Sequence, residues 1–410
     1  MLYYCPLESY KERYSMQWSA PKTGWLERNW IKAGIPYERI DSILNRMGMN
    51  NKNTKELVLG RPRRKPPYTN TIDKGLVLDI GKRTSHCFSQ INQLVNLATA
   101  GNITNDDVIY FDDFWHLGIE ALPYAFHQLK ISPKMYAFCH AQSVDEFDFT
   151  YPMKHWMRDF EKGIGTILSG IFVNSDMLKN LLVEAGIGTE QSVHVIGHIF
   201  CEEEVQERFP KKLPLRENTV VFSSRWDDEK KPRFFLDVVK EVMKYRQDIK
   251  FVICTSQKKL RSNNPNNLLF LQHAMKEFPN NLFLKEGLSK EEYYLELLKA
   301  KIQINTADQD WVSIALLEAS TAGCYPVYPN IRSFPQAFKY DNDYIYLPLT
   351  PTAAANKIED IIEYSYLWGK DKIESRAWIH RRHNTSWARM INIMMKKDVE
   401  ENIVEVEPYE

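Results

Sequence analysis

Short runs of β-branched and aromatic residues alternate along the chain with longer stretches in which apolar side chains recur at helical spacing. Such alternation predicts α/β architecture on parallel sheets, because two parallel strands need a crossover, usually a helix, between them. In the first half it places strands at residues 2–6, 76–80, 107–111, 135–139, 170–173 and 192–196, and helices at 23–33, 85–98, 115–129, 152–167 and 175–185. The stretch 60–71, GRPRRKPPYTNT, is proline-rich and basic and reads as an extended loop.

The pattern breaks at 201–218, CEEEVQERFPKKLPLREN, which is charged, holds two prolines and lacks apolar periodicity, as a linker would. Alternation then restarts, with strands at 220–223, 250–255, 282–284, 302–305 and 325–328 and helices at 232–245, 267–278, 290–299 and 313–322. Two doubly wound, Rossmann-like units are therefore expected, 1–208 and 212–384. They would face each other across a cleft lined by the C-terminal edges of both sheets, where such folds bind ligands. An amphipathic helix near 386–397 is expected to complete the first unit, with an acidic, frayed tail over 398–410.

Composition narrows the class of protein. With 44% hydrophobic and 26% charged residues over 410 positions, the chain reads as soluble and globular. Its apolar runs are too short to span a bilayer, and residues 1–7 lack the basic start and apolar core of a signal peptide. Six scattered cysteines without a CxxC pair argue against zinc or a disulfide framework and point to a reducing, cytoplasmic setting.

Net charge is zero, yet residues 1–100 hold sixteen Lys/Arg against eight Asp/Glu. A basic first unit suits an anionic acceptor, although a solvated basic surface would give the same count. Lys11, Arg13, Tyr14, Trp18 and Lys22 interleave cations with aromatics beside the expected cleft, and Arg61, Arg63, Arg64 and Lys65 add a second basic cluster. Together they are candidates for holding phosphates and stacking on a base; packing of the aromatics against the sheet is the alternative.

The most informative string is 310–329, DWVSIALLEASTAGCYPVYP. It sets a carboxylate, Asp310, in a loop after a strand, then a helix start near Ser313–Ile314, then a second carboxylate, Glu318, inside that helix. Open backbone N–H groups and the helix dipole suit a diphosphate, and Glu318 could reach ribose hydroxyls. Upstream, 220–232 reads VVFSSRWDDEKKP, a strand entering a loop with Arg225 and Lys230, with Lys231 as an adjacent alternative. Two cations converging on the cleft would neutralise a leaving nucleoside diphosphate; a salt-bridged surface turn is the bland reading. His140 ends another predicted strand, and Asp112 and Asp113, with His116, follow a third.

The two strings, in this order and about eighty-five residues apart, resemble the donor-site signature of retaining GT-B glycosyltransferases, in particular glycosyltransferase family four. The family's usual first Glu is Asp310 here, and its Gly-Phe-Gly is Trp311-Val312-Ser313. The resemblance implies a nucleotide-sugar co-substrate, UDP- or GDP-linked, with no cofactor or bound metal. It assigns Arg225 and Lys230 to the leaving phosphates, Asp310 to the donor sugar and Glu318 to the ribose or sugar ring. Gly287 and Leu288 would meet the base through main-chain groups, and Trp311, Val312, Ser313 and Ile314 would line the donor. His140 would touch the sugar or the reaction centre, and Asp112 and Asp113 the acceptor hydroxyls, unless the aspartates only cap a helix.

From FSSRWDDEKKP through LLEASTAGCYPVYP the second unit is especially similar to a branch whose members include enzymes that mannosylate queuosine in tRNA, and it also resembles phage enzymes that glycosylate hydroxymethylated pyrimidines in DNA. That implies a nucleic-acid base as acceptor, DNA before tRNA, in the cytoplasm of a host if the gene is a phage's, with no membrane and no obligate protein partner. Transfer to a polysaccharide or lipid-linked glycan, and an inactive nucleotide-sugar-binding module, are the competing readings.

Overall fold

A computed structural model describes residues 1–7, 20–41, 80–140, 142–148, 150–338, 344–347, 349–364 and 378–397 of the chain. The first unit runs β1 (Leu2–Cys5), α1 (Ala20–Lys32), β2 (Tyr37–Arg39), α2 (Ile80–Thr99), β3 (Val108–Phe111), α3 (Ala121–Leu129), β4 (Lys134–Phe138), α4 (Lys154–Ile167), β5 (Gly170–Val173), α5 (Asp176–Glu184) and β6 (Val193–Val195). A short α6 (Glu202–Gln206) leads to the second unit: β7 (Glu217–Phe222), α7 (Pro232–Met243), β8 (Lys250–Cys254), α8 (Pro265–Glu277), β9 (Leu282–Lys285) and α9 (Lys290–Lys299). It continues through β10 (Ala300–Ile304), α10 (Ile314–Thr321), β11 (Tyr325–Pro329), α11 (Phe334–Phe338), β12 (Ile345–Tyr346) and α12 (Pro351–Tyr364). A π-helical turn at His380–Asn384 and α13 (Ser386–Met395) come last.

Each unit holds one six-stranded sheet, ordered β2-β1-β3-β4-β5-β6 and β12-β11-β10-β7-β8-β9, and every pairing is parallel. Strands covered on both faces need apolar side chains on both, and Val220, Val221 and Phe222 of β7 are fully buried. In the second sheet the chain steps from β7 outward to β9, then returns to the other side of β7 as β10. The loops after β7 and β10 therefore part in opposite directions and leave a crevice between them, the position at which doubly wound sheets take ligands.

Several expectations shift. Residues 115–120 are not helical; α3 starts only at Ala121, because Asp113 accepts the Trp115 amide at 3.1 Å and Gly118 turns the chain at φ +89°. The expected strand at 76–80 lies outside the described residues except Ile80, which opens α2. The expected linker holds α6, whose three leading glutamates favour a helix start and whose Val205 is buried. α12 has no counterpart among the expected helices, although Ala354, Ala355, Ile358, Ile361 and Ile362 bury one helical face.

The C-terminal segment returns to the first unit through specific contacts. Arg389 donates to the Ile196 carbonyl at 2.7 and 3.0 Å, and buried His383 takes the His198 amide on Nδ1 at 3.0 Å while Nε2 meets the Ala337 carbonyl at 2.9 Å. Burial holds the His383 imidazole near pKa 3, so it stays neutral and can accept at Nδ1. Gly197 makes this return feasible: it sits at φ +83°, and a Cβ there would overlap the Arg382 carbonyl oxygen. Gly197→Ala should destabilise the protein by ~2 kcal/mol or more, read as a lowered denaturation midpoint.

Candidate functional site

The loop after β7 is built to hold cations in the crevice. Trp226 is fully buried, packs edge-on against Phe222 at 5.4 Å and donates to the Asn267 carbonyl at 3.0 Å, anchoring the loop from beneath. Asp227 accepts the Asn263 amide at 2.7 Å, and Asp228 accepts Asn267 Nδ2 at 2.8 Å, which ties the turn to the loop after β8. Lys231 ends the turn in the left-handed region (φ +49°) and starts α7 with Pro232 in its first turn.

Lys230 is thereby pulled inward. It is 7% exposed, forms an ion pair with Asp310 from the loop after β10, and lies 3.3 Å from Gln309 Oε1. Burial alone would raise the Asp310 carboxyl. The Lys230 ammonium beside it, the Asn305 amide at 3.1 Å and the charge of Arg225 outweigh that and hold it below the usual carboxylate range. Asn305 also donates to Ser313 Oγ at 2.9 Å, and the same oxygen caps α10 by accepting the Leu316 amide at 3.4 Å. One asparagine thus fixes both the carboxylate and the helix start. The amides of Ile314 and Ala315, in the first turn of α10, have no protein acceptor among the described residues.

Arg225 sits closer to solvent, with 39% of its side chain exposed, paired with Glu229 at 2.7 Å and Asp227 at 3.6 Å. The salt-bridged turn of the bland reading is therefore present for Arg225, while Lys230 faces the crevice.

Glu318 lies deeper, 3% exposed, and accepts from Lys290 Nζ at 2.6 Å and Tyr294 Oη at 3.0 Å. Both partners are on α9, one turn beyond Gly287 and Leu288. Glu318, Lys290 and that turn form one cluster, and Lys290 is a member of it that the motif reading missed. The Gly287 and Leu288 amides already donate to the Gln257 and Thr255 carbonyls at 2.8 and 3.1 Å. Of their main-chain groups, only the carbonyls are open to a base.

Trp311 departs from the donor-lining role expected of it. Its side chain is 8% exposed and packs within the buried cluster of the first unit, with the Arg332 guanidinium 4.2 Å over its ring. Arg332 also pairs with Asp145 of the first unit at 2.6 Å and donates to the Asp308 carbonyl at 3.2 Å. The indole is a wedge between the units. Val312 is half-buried against the other buried cluster, which draws on both units.

On the opposite wall, His140 Nε2 lies 3.0 Å from the Asp112 carbonyl, which can only accept, and its ring is 4.6 Å from Phe138 and 6.3 Å from His198. Asp112 and Asp113 are buried. Asp112 accepts from Tyr110 Oη at 3.1 Å, and Asp113 pairs with Arg83. Asp113 is therefore a structural anchor, committed to Arg83 and to the turn before α3. His116 Nε2 meets Gln90 Oε1 at 2.9 Å in the core. Lys11, Arg13, Trp18, Arg61, Arg63 and Arg64 lie outside the described residues, and Lys22 falls in the first turn of α1. No group of three or more His, Cys, Asp or Glu side chains is set to hold a metal among the described residues, and no described helix is long and apolar enough to cross a membrane.

Two facing Rossmann-like sheets with this crevice define the GT-B class of glycosyltransferase fold. Residues 204–377, which span the second unit, match the profile of the family Glycosyl transferases group 1. Over 126 residues, 30% of this chain, it is 29% identical to the tRNA-queuosine alpha-mannosyltransferase of Drosophila melanogaster, of whose length the match spans 32%. In solved structures the chain resembles Anabaena HepE in complex with UDP (TM-score 0.60, 10% identity, 96% of this chain and 99% of that one). It also resembles a glycosyltransferase from Rickettsia africae (TM-score 0.58, 12% identity, 96% and 97%) and TarM (TM-score 0.56, 17% identity, 75% and 59%).

The Lys230–Asp310 pair makes a clear test. Lys230→Met strands a buried carboxylate and should cost ~3–5 kcal/mol, measured by denaturant unfolding; adding Asp310→Asn should recover much of that loss without restoring activity. Because the Asp310 carboxyl is depressed, its stabilisation is present at neutral pH and is lost only as pH falls below about 4.

Asp148 behaves in the opposite sense. Burial pushes its carboxyl up to about 7, with Asp145 adding repulsion and Thr150 opposing through its amide at 2.8 Å and hydroxyl at 2.6 Å. The protonated form favours folding, fully so below about pH 4, and that contribution is lost as pH rises through 7. Both Thr150 groups donate to one oxygen, which an amide retains. Asp148→Asn should therefore raise thermal stability at pH 8 and leave it unchanged at pH 4.

Proposed function

We propose that the protein is a retaining glycosyltransferase that moves a sugar from a nucleotide-sugar donor to a hydroxyl on a modified base of a nucleic acid. The observation that carries the reading is the convergence of Lys230, Asp310 and the capped start of α10 at the switch point of the second sheet, with Arg225 beside them. A diphosphate seated there would meet the open amides of α10, the Lys230 ammonium and the Arg225 guanidinium. Glu318, oriented by Lys290 and Tyr294, would accept from ribose or sugar hydroxyls.

In the proposed step the bond from the sugar's anomeric carbon to the phosphate oxygen breaks as the acceptor oxygen bonds to the same face of that carbon. The acceptor's proton passes to the departing phosphate oxygen, whose new charge Arg225 and Lys230 stabilise. Asp310 keeps Lys230 in place and positions the sugar, and closure of the units limits hydrolysis of the donor. The cations supplied by side chains suffice for this chemistry without a bound metal.

For the acceptor, likeness to the tRNA-queuosine enzyme favours a tRNA base, reversing the preference for DNA drawn from the sequence. That likeness covers under a third of either chain, so DNA carrying hydroxymethylated pyrimidines belongs in the same test. A nucleotide-binding donor site is common to both. The unit boundaries proposed for it are 1–208, completed by the C-terminal helix, and 212–384.

Screening UDP- and GDP-sugars by thermal shift should reveal the donor, since ligand at one hundred times its Kd adds ~2.7 kcal/mol of stability. Arg225→Ala should cut turnover by ~10²-fold or more, about 3 kcal/mol, with little loss of stability, because its ion pairs are exposed. Near-normal turnover in this variant would remove Arg225 from the mechanism.

A further inference from the structure

The two units meet through the loops that carry the proposed chemistry. The loop after β10, residues 305–313, holds Asp308, Asp310 and Trp311, and the loop after β4, from residue 139 on, holds His140, Asp145 and Phe147. Inside the second unit the first of these loops is tied down by Lys231, paired with Asp308 at 2.6 Å, and by the Asp308 amide, which donates to the Glu229 carbonyl at 3.1 Å. Toward the first unit it is held by the Trp311 ring, buried in that unit's cluster, and by Arg332 from the chain after β11.

Arg332 touches both loops. Its guanidinium pairs with Asp145 at 2.6 Å, donates to the Asp308 carbonyl at 3.2 Å, lies 4.2 Å over the Trp311 ring and has the Phe147 ring 5.6 Å away. The next residue, Ser333, donates its hydroxyl to the Trp311 carbonyl. Asp145 is set for its partner. Gln142 Oε1 accepts its amide at 2.9 Å, and its own Oδ1 accepts the Phe147 amide at 3.1 Å, while Oδ2 takes the guanidinium.

Two features point to a role beyond holding the fold together. The Asp145 and Arg332 side chains are only 3% and 10% exposed. An ion pair so buried adds little net stability, because both charges have been stripped of water, and its use lies in fixing register. Arg332 also takes φ +51°, a backbone conformation that a residue with a side chain adopts at a cost. Strain of this kind persists where the surroundings dictate it. Here they are the loop of Asp310 on one side and the loop of His140 on the other.

We propose that Arg332 is a positioning residue: it clamps the loop after β10 to the loop after β4, so that a sugar held at Asp310 meets the His140 wall of the crevice in register. The inference rests on the transferase reading and deepens it. Arg332 acts through Trp311, the Asp308 carbonyl and Asp145, and takes no part in the bond exchange.

The test uses the full chain and follows release of free sugar from UDP- and GDP-sugars, with amide hydrogen exchange over residues 306–313 as a second readout. Arg332→Ala should lower kcat by ~10- to 100-fold and leave KM within about threefold of the wild type, the mark of a misplaced reacting group rather than a lost ligand contact. Arg332→Lys should recover part of that loss, because an ammonium can pair with Asp145 but cannot also reach the Asp308 carbonyl and lie flat on the indole. Asp145→Asn keeps the oxygen that Phe147 uses and turns an NH2 group on the guanidinium. It should reproduce the fall in kcat from the other unit, and adding it to Arg332→Ala should cost nothing more. Should Arg332→Ala fail to fold, Asp145→Asn carries the test. Wild-type kcat in Asp145→Asn overturns the clamp, as does a raised KM with unchanged kcat in Arg332→Ala. Exchange over 306–313 should rise severalfold in Asp145→Asn, and protection equal to the wild type overturns the clamp as well. If the wild type releases sugar from no donor, the transferase reading falls, and the exchange result alone decides whether Asp145 and Arg332 hold the loop.

Discussion

The ion pair between Lys230 and Asp310 joins the two loops that part at the switch point of the second sheet. A buried ammonium and a buried carboxylate are each costly to desolvate, and such a pair is tolerable only when further hydrogen bonds complete it. Asn305 donates one to Asp310, Gln309 accepts another from Lys230, and the Thr306 hydroxyl donates to the Lys230 carbonyl at 2.6 Å. The pair thereby positions the start of α10, because the amide of Asn305 that steadies Asp310 also steadies Ser313. Charge, helix dipole and backbone donors are set before any ligand arrives, an arrangement that suits the diphosphate proposed for this crevice.

The second constraint lies between the units. Trp311 stands where the related motif has a small residue, and its ring occupies the first unit's buried cluster instead of opening toward a donor. Arg332 holds it from the other side while reaching Asp145, so one guanidinium links the donor loop, the strand-end loop of the first sheet and the chain after β11. Asp176 adds a further tie, its amide donating to Gln336 Oε1 at 2.9 Å. A bulky side chain in a motif that favours glycine is thus compatible with the fold because it leaves the donor path and serves as a wedge.

Much of this was legible in the chain. The alternation of strand and helix marked both sheets, and the spacing of Asp310, Ser313 and Glu318 led to the loop after β10 and the start of α10 because all three sit on one strand–loop–helix unit. What escaped detection depends on distance in sequence. Lys290 approaches Glu318 across 28 residues and Arg332 approaches Asp145 across 187, and no local pattern marks either pairing. Trp311 was placed by its motif position, whereas its orientation follows from packing against a unit that local sequence does not describe. α12 was missed although its alanines and isoleucines form a regular helical face of the kind that marked the other helices.

The cations of the crevice are already answered by carboxylates, Lys230 by Asp310 and Arg225 by Glu229 and Asp227. A diphosphate must therefore compete with these partners, and only a ligand carrying two adjacent negative charges can offset both at once. Arg225 is half-exposed and its pairs are weak, so it can swing to an incoming phosphate at little cost. Lys230 is buried and held by several bonds, so it stays, and the anion must come to it. This division between one mobile and one fixed cation would admit the nucleotide while keeping the reacting sugar in register. It also leaves both cations partnered when nothing is bound.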